Sequence, residues 1–251
     1  MTGVAGRVAR PSRRAPFGAL YRFVLRTTTT RARVLGFGAL GLLGILVGWQ
    51  VSSAGTGEPV RAAARLVDVF GLTFLIPIAA LVFGTSSLGD PRDDGTLGYL
   101  WLRPVPRSTI AGAAYLATLT LVVPLAVVPV VIASAVVSGD GGALVGAASA
   151  TLLAAVAYSA IFVLLGLVTN RSLVWGIGYL LIFESFVARG GESLGAISIH
   201  AQAVSVLARA AGRRLRPLDY FGATTGVVVC AVFAVVAIAA TVWRLRRADI
   251  A

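Results

Sequence analysis

Six apolar runs, separated by short polar or charged segments, organise this chain. They extend from Val34 to Ser53, Val67 to Gly84, Ile110 to Val137, Ala143 to Val168, Leu173 to Ala188 and Ala223 to Trp243. About 20 apolar residues cross a hydrocarbon layer of about 30 Å, so the runs predict six transmembrane segments. Their apolar character is continuous rather than alternating. An isolated span must also satisfy its own backbone hydrogen bonds in lipid, so the segments are predicted to be helices rather than barrel strands. Pro77 in the second run and Pro124 and Pro129 in the third each remove a backbone donor and predict kinks. Gly36, Gly38, Gly41, Gly44 and Gly48 in the first run allow close approach of a neighbouring helix.

Composition agrees with the pattern. The chain is 57% hydrophobic and 13% charged over 251 residues, with a mean hydropathy of +0.89. That is too few charges to cover a soluble domain of this size, and the predicted class is an all-α integral membrane protein. All 22 basic residues are arginine, against 10 acids, for a formal charge of +12. In so apolar a chain that excess reads as anchoring at the membrane surface, with the lipid bilayer as partner and no nucleic acid. Without lysine the chain cannot supply a Walker A loop, whose lysine reaches the nucleotide phosphates, so any ATP must be bound by a partner. The single cysteine, Cys230, lies in an apolar run and implies no disulfide framework.

Arginine placement sets the predicted orientation. With both termini cytoplasmic, 15 arginines lie inside and seven outside: Arg61, Arg65, Arg189, Arg209, Arg213, Arg214 and Arg216. The Arg213–Arg216 cluster runs against this trend. Glu192, His200, Gln202 and Arg209 make Gly195 to Ala211 a poor crossing segment, and it is expected to lie along the outer interface as an amphipathic helix. Residues 1–33 form a basic arm. Ser12, Arg13, Arg14 and Phe17 look like a twin-arginine export signal, but the apolar run that follows is longer than the about 7–15 residues of a signal core and reads as a retained first helix. Phe17, Leu20, Tyr21, Val24 and Leu25 share one helical face that excludes Arg22 and Arg26, which predicts a helix on the inner membrane surface. Residues 34–251 are then one six-helix transmembrane domain, with a loop at 85–109 and an outer loop at 189–222.

Candidates for catalysis are few. His200 is the only histidine and no HExxH, CxxC or GxSxG pattern occurs, so the chain is not expected to be an enzyme and no metal or cofactor site is predicted in it. His200 is expected in a solvent-exposed or interfacial loop. Asp68 is read as an interfacial carboxylate near a helix N-terminus. Glu184 lies inside the fifth run, where a charge costs about 2.5–3.5 kcal/mol at the bilayer centre. It is either a substrate-path or interhelical group, or a carboxylate reaching the outer headgroups.

The richest chemistry lies in the island Gly89 to Arg107, GDPRDDGTLGYLWLRPVPR. Three carboxylates, three guanidiniums and three prolines between two membrane spans require water. Gly95 and Thr96 permit a helix to break and restart, Leu97, Leu100 and Trp101 form an i, i+3, i+4 apolar stripe, and Arg103-Pro104 ends it. On these residues alone the segment is a short amphipathic helix parallel to the membrane, or a solvated loop whose Tyr99 and Trp101 sit at the headgroups. The longer run FGTSSLGDPRDDGTLGYLWLRPVPRSTIAG resembles the signature of the type 2 ATP-binding-cassette permeases, whose first cytoplasmic loop reads ERE(D)GTL, then LL, then RPVSR and an Ile. Arg92, Asp93, Asp94, Gly95, Thr96 and Leu97 match the first part, and Arg103, Pro104, Val105, Pro106, Arg107 and Ile110 the second. Pro91 stands for the first Glu, Pro106 for the Ser, and Ala113 where the family has a Lys.

The resemblance implies the permease subunit of an exporter in the cell membrane. A second protomer, in a homo- or heterodimer, would enclose the translocation path. A separate nucleotide-binding ATPase would hold ATP and Mg and grip the island as a coupling helix. Arg92, Asp93, Asp94, Gly95, Thr96, Leu97, Leu100, Trp101, Arg103, Pro104 and Arg107 are the coupling residues so implied, and Glu184 the candidate for the substrate path. The alternatives are a membrane scaffold or assembly protein whose island binds another cytoplasmic partner, and a secondary transporter, which would carry more ionisable groups in its spans.

Overall fold

The computed structural model describes residues 14–55, 57–95, 105–184, 195–210, 212 and 221–247. Among them every regular element is helical. We number the helices α1 (Arg14–Thr28), α2 (Arg31–Ser53), α3 (Pro59–Asp93), α4 (Arg107–Val137), α5 (Gly141–Val168), α6 (Ser172–Glu184), α7 (Ile199–Ala210) and α8 (Ala223–Arg247). Five of these, α2, α3, α4, α5 and α8, are long and apolar enough to cross a membrane. The fifth expected span is represented by α6, which is 13 residues long within the described part, and its expected continuation to Ala188 lies outside the described residues.

Proline placement explains the irregularities of α3 and α4. Val67–Leu75 and Val123–Val127 are wide, π-type turns, the first ending two residues before Pro77 and the second containing Pro124. A proline lacks the N–H that would close the preceding α-turn, and a wider turn absorbs the defect. α6 has a third wide stretch at Tyr179–Glu184.

Small residues decide which helices touch. Gly84 and Gly89 of α3 meet Phe162 and Gly166 of α5, so the two helices run side by side in the same direction. Gly41 and Gly48 of α2 lie against Pro129 and Ala133 of α4, while Gly44 accommodates Phe70 of α3. Those three α2 glycines therefore serve contacts within the chain. The main core gathers Phe83, Tyr158 and Phe162 with Leu72, Leu75 and Ile76, all fully buried. Exposed Leu35, Leu42, Leu46, Trp49, Val228 and Val235 on α2 and α8 form an apolar outer surface suited to lipid.

α1 buries the apolar face that its periodicity predicts, and buries it against other helices of the chain. Leu20 and Val24 are buried, Phe17 and Tyr21 pack against Leu88, Ile110, Leu167 and Leu245, and Arg22 and Arg26 are exposed. The helix thus binds the ends of α3, α4, α5 and α8 that lie beside the island. Threonines then make the corner into α2. Thr28 and Thr29 return their hydroxyls to Val24 O and Leu25 O, and Thr30 caps α2 by accepting from Arg33 N.

Two expectations are corrected here. The helix α3 is 35 residues long, not 18, so Thr85–Asp93, expected in a loop, is helical and Pro91 lies within the helix. The polar residues there remain helical because α5 covers them and their hydroxyls return to the helix, as Thr85 does to Leu81 O at 2.6 Å. The segment after Gly195, expected to lie along the outer interface, forms α7 inside the bundle. Ile199, Gln202, Ala203, Val206 and Leu207 are buried, and α7 runs antiparallel to α5 with Ala210 beside Gly142 and Leu207 beside Gly146. Gly226 of α8 closes over Gln202 from the other side. The absence of side chains at 142, 146 and 226 creates the slot that a surface helix would not need.

Candidate functional site

At the island end, α3 stops at Asp93 with Asp94 as its C-terminal cap and Gly95 in the left-handed region, φ +68°. A residue with a side chain would be strained there, which accounts for the glycine of the motif. Asp93, Asp94 and Gly95 are exposed. Arg92 instead turns back onto the protein: Nη1 donates to Leu167 O at 2.9 Å and Nη2 to Thr169 O at 2.7 Å, satisfying carbonyls at the C-terminus of α5, while Nη2 also meets Asp93 Oδ1 at 2.9 Å. A second tie joins Arg33 of α2 to Asp90, Nη2 to Oδ2 at 3.4 Å. Arg107 opens α4, half-buried. These residues form the two stems of the island. Thr96, Leu97, Leu100, Trp101, Arg103 and Pro104 lie outside the described residues, as does the Arg213–Arg216 cluster.

The second locus is built around Glu184. The carboxyl group is buried, with 8% of the residue exposed. Oε1 accepts from Tyr179 Oη at 3.0 Å and from Ile199 N at 3.2 Å, and Oε2 accepts from Ser198 Oγ at 2.6 Å. The wide turn of α6 makes the first contact, because five residues complete one π-turn and bring Tyr179 above Glu184. The other two come from the N-terminus of α7. Ser198 caps that helix, its oxygen accepting from Ala201 N at 3.1 Å while its hydrogen goes to Glu184. A carboxylate at this end of a helix is favoured by the exposed N–H groups and the dipole. Of the two readings open for Glu184, the structure therefore shows an interhelical contact buried in the bundle.

Asp68 and His200 form a third contact. His200 Nε2 lies 2.8 Å from Asp68 Oδ1 and 3.1 Å from Thr73 Oγ1, and Thr73 Oγ1 is 3.0 Å from Asp68 O. With the Thr73 hydrogen on that carbonyl, Nε2–H is the donor to both oxygens. His200, expected in an exposed loop, thus lies in the first turn of α7. Asp68, expected at a helix N-terminus, lies within α3 at its wide turn. His200 is corrected because the slot that admits α7 brings it against α3, and Asp68 because α3 begins already at Pro59.

A cavity of about 260 Å³ connects these groups. Leu72, Thr73, Phe74, Pro77 and Ile78 of α3 form one wall, Ile177, Leu180, Leu181 and Glu184 of α6 another, and Tyr158 and His200 close it. Tyr158 is fully buried, with its hydroxyl beside the Glu184 carboxyl group. Phe74, Ile177 and Leu181 are exposed on the outer side. Sequence reasoning missed Thr73, Tyr158, Tyr179 and Ser198. The available signal was that all four are hydrogen-bonding residues within or beside apolar runs.

Comparison with curated proteins and with solved structures gave no match. The family model described as ABC-2 family transporter protein matches residues 31–191, from the first turn of α2 past the end of α6 and across the island. With most of the chain so covered, and with several helices fit to cross a bilayer, this protein is a membrane permease that belongs to the ABC-2 family of transporter proteins.

Proposed function

We propose that this chain is the membrane-spanning subunit of an exporter in the cell membrane, driven by a separate nucleotide-binding ATPase that grips the island between α3 and α4. The partner holds ATP and Mg, since this chain has no lysine for a phosphate loop. Two protomers, alike or different, enclose the path, and both termini face the cytoplasm. The observation that carries the reading is the position of the motif: RDDGTL and RPVPR stand between two long apolar helices inside the segment that matches the family. The exposure of Asp93, Asp94 and Gly95 supports it, because a partner can reach them. So does the Arg92 clamp on α5, because a push on the island is then delivered to two helices together.

Two measurements test this. A cysteine placed at Thr96 is expected to react with membrane-impermeant maleimide only after the cells are opened; native Cys230 is buried and stays silent. Labelling from outside intact cells refutes the topology. Replacing Leu97 and Trp101 by Asp is expected to abolish co-purification of the cassette ATPase. Unchanged co-purification refutes the coupling role, and absence of any such ATPase from the wild-type complex favours a scaffold instead.

A further inference from the structure

Two exposed stripes on the outer helices begin alike and end differently. On α8, Val232, Val236, Trp243 and Arg247 share one helical face at i, i+4, i+11 and i+15, and all four are exposed. The Arg247 guanidinium carbon lies 4.1 Å from the centre of the Trp243 ring, and Arg244 and Arg246 are exposed beside it. This stripe runs to the island end, where Leu245 packs with Leu88 and Leu167. On α2, Leu35, Leu42, Leu46 and Trp49 make a comparable face that runs the other way, Gly48 lying against Ala133 near the far end of α4. It ends in Ser53, whose hydroxyl returns to Gln50 O, and not in a cation.

The arginines at the island end are in excess. Arg33 pairs with Asp90 and Arg92 with Asp93. Arg22, Arg26, Arg171, Arg244, Arg246 and Arg247 are exposed and form no ion pair among the described residues. At the opposite end Arg61 pairs with Glu58, and Asp68 and Asp140 add negative charge. The order of apolar residues, tryptophan and arginine also recurs at the start of α6, where exposed Trp175 stands one turn from exposed Arg171. Tryptophan rings sit at the headgroup level of a membrane, so the guanidiniums one turn beyond them, about 6 Å along the helix, reach the phosphates.

The α8 stripe specifies its occupant. Whatever covers it must be apolar against Val232 and Val236 and negative at Arg247, an order that a phospholipid has along its own length. A second copy of this chain lacks it, because a two-fold axis across the stripe would set Arg247 against Arg247. A zwitterionic headgroup would bring its own cation among three guanidiniums, whereas phosphatidylglycerol brings the phosphate alone, which arginine binds through paired N–H groups. We propose that the island end of α8 is a binding site for an anionic phospholipid, its phosphate on Arg247 with Arg244 and Arg246 beside it and its acyl chains along Val236 and Val232. Arg22 and Arg26 extend the cationic surface, since α1 docks through Leu20 in the same apolar cluster as Leu245. The site does not depend on the transport function proposed above.

Tryptophan fluorescence reads the site directly, because Trp243 lies in it and Trp49 lies in the stripe that ends without a cation. Full chains that keep only one of these, the other three tryptophans being replaced by phenylalanine, are reconstituted in phosphatidylcholine vesicles. Phosphatidylglycerol or phosphatidylcholine with brominated acyl chains is then mixed in, and bromine quenches only indoles close to it. At Trp243 the brominated phosphatidylglycerol is expected to be preferred about fivefold, the selectivity that one arginine near the surface confers. At Trp49 the two lipids are expected to quench equally. Arg244→Gln, Arg246→Gln and Arg247→Gln made together are expected to bring the Trp243 ratio down to that of Trp49; if that variant fails to fold, the comparison of the two reporters decides. Raising the salt concentration is expected to shrink the preference, and inorganic phosphate to leave the quenching unchanged. Equal quenching by the two lipids at Trp243 overturns the proposal. So does relief of quenching by inorganic phosphate, which assigns the arginines to a free anion, and so does absence of quenching at Trp243, which puts a protein surface over the stripe.

Discussion

Gly166→Ala is the most direct test of how the membrane helices are assembled. A Cβ built at 166 falls onto the carbonyl oxygen of Thr85 in α3 and lies 2.8 Å from Thr85 Cα. Non-bonded carbons rest at about 3.5–4.0 Å, so α3 and α5 must part by roughly 1 Å. Neither side can yield alone, because both obstructing atoms are backbone in a continuous helix. Parting the helices loosens Phe83, Leu88 and Val163, each at most 2% exposed. Overpacking of this kind costs about 1–3 kcal/mol. The alanine recovers about 0.8–1 kcal/mol of helix propensity. A net destabilisation of about 0–2 kcal/mol follows from these two opposing effects. At about 2–4 °C per kcal/mol for a chain of this length, the midpoint is expected to fall by up to about 8 °C. The matched control is Gly36→Ala on α2, where a Cβ meets nothing within 4 Å, so only the propensity gain applies. Fluorescence melts of the purified chain, run at one scan rate because such unfolding is often irreversible, compare the two. A Gly166→Ala midpoint equal to or above that of Gly36→Ala refutes the close approach of α3 and α5.

Arg92→Met removes the donors to Leu167 O and Thr169 O and is expected to cost about 1–3 kcal/mol, read as a lower melting midpoint of the chain without any partner. A midpoint at the wild-type value shows that the clamp contributes nothing. Asp68→Ala leaves His200 with Thr73 alone and is expected to cost about 1 kcal/mol; hydrogen exchange of the first turn of α7 should quicken while α8 is unaffected, and unchanged exchange refutes the link. Val24→Asp puts a carboxylate into the buried face of α1, where Val24 is 4% exposed, and limited proteolysis is expected to begin cutting between α1 and α2. Resistance equal to wild type would show that α1 is not docked.

Much of the fold was legible because lipid imposes a simple pattern. Val34–Ser53, Ile110–Val137, Ala143–Val168 and Ala223–Trp243 begin or end within a few residues of α2, α4, α5 and α8. The face of α1 was legible from the spacing of Leu20 and Val24. The bounds of α3 were not, because Arg61, Arg65 and Asp68 at one end and Thr85 to Asp90 at the other look like exits from the bilayer. Thr85, Ser86 and Ser87 are covered by neighbouring helices, and hydropathy does not distinguish protein cover from water, whereas Arg61 and Arg65 lie on the exposed side of the first turns of α3. α7 was misplaced for a related reason. Its own residues describe a moderately polar segment, and what draws it inward is the glycine at 142, 146 and 226 on two other helices. The Glu184 site was half legible: the residue stands out in its run, but its partners Ser198 and Ile199 are supplied by a helix whose position is set by those glycines.

One helix joins the two loci. α3 carries Asp90, Arg92 and Asp93 at one end and Asp68, Thr73 and Phe74 in its other half. From the island to Ile76 it is a regular helix held along α5 by Gly84, Gly89 and Gly166, by Arg92 on the α5 carbonyls, and by Asp90 on Arg33. This half moves with α5 as one body, because displacing either backbone alone breaks contacts that have no slack. From Val67 to Leu75 the same helix has wide turns, whose hydrogen bonds are less regular than those of an α-helix. That half faces the cavity, and the α6 wall opposite it at Tyr179–Glu184 has wide turns as well. Deformation under a push at the island therefore concentrates where the stiff half meets the compliant one. Pro77, a lining residue of the cavity, lies at that junction, so under the coupling proposed above a rotation of the α3–α5 pair is expected to change the distance between Phe74 and Glu184.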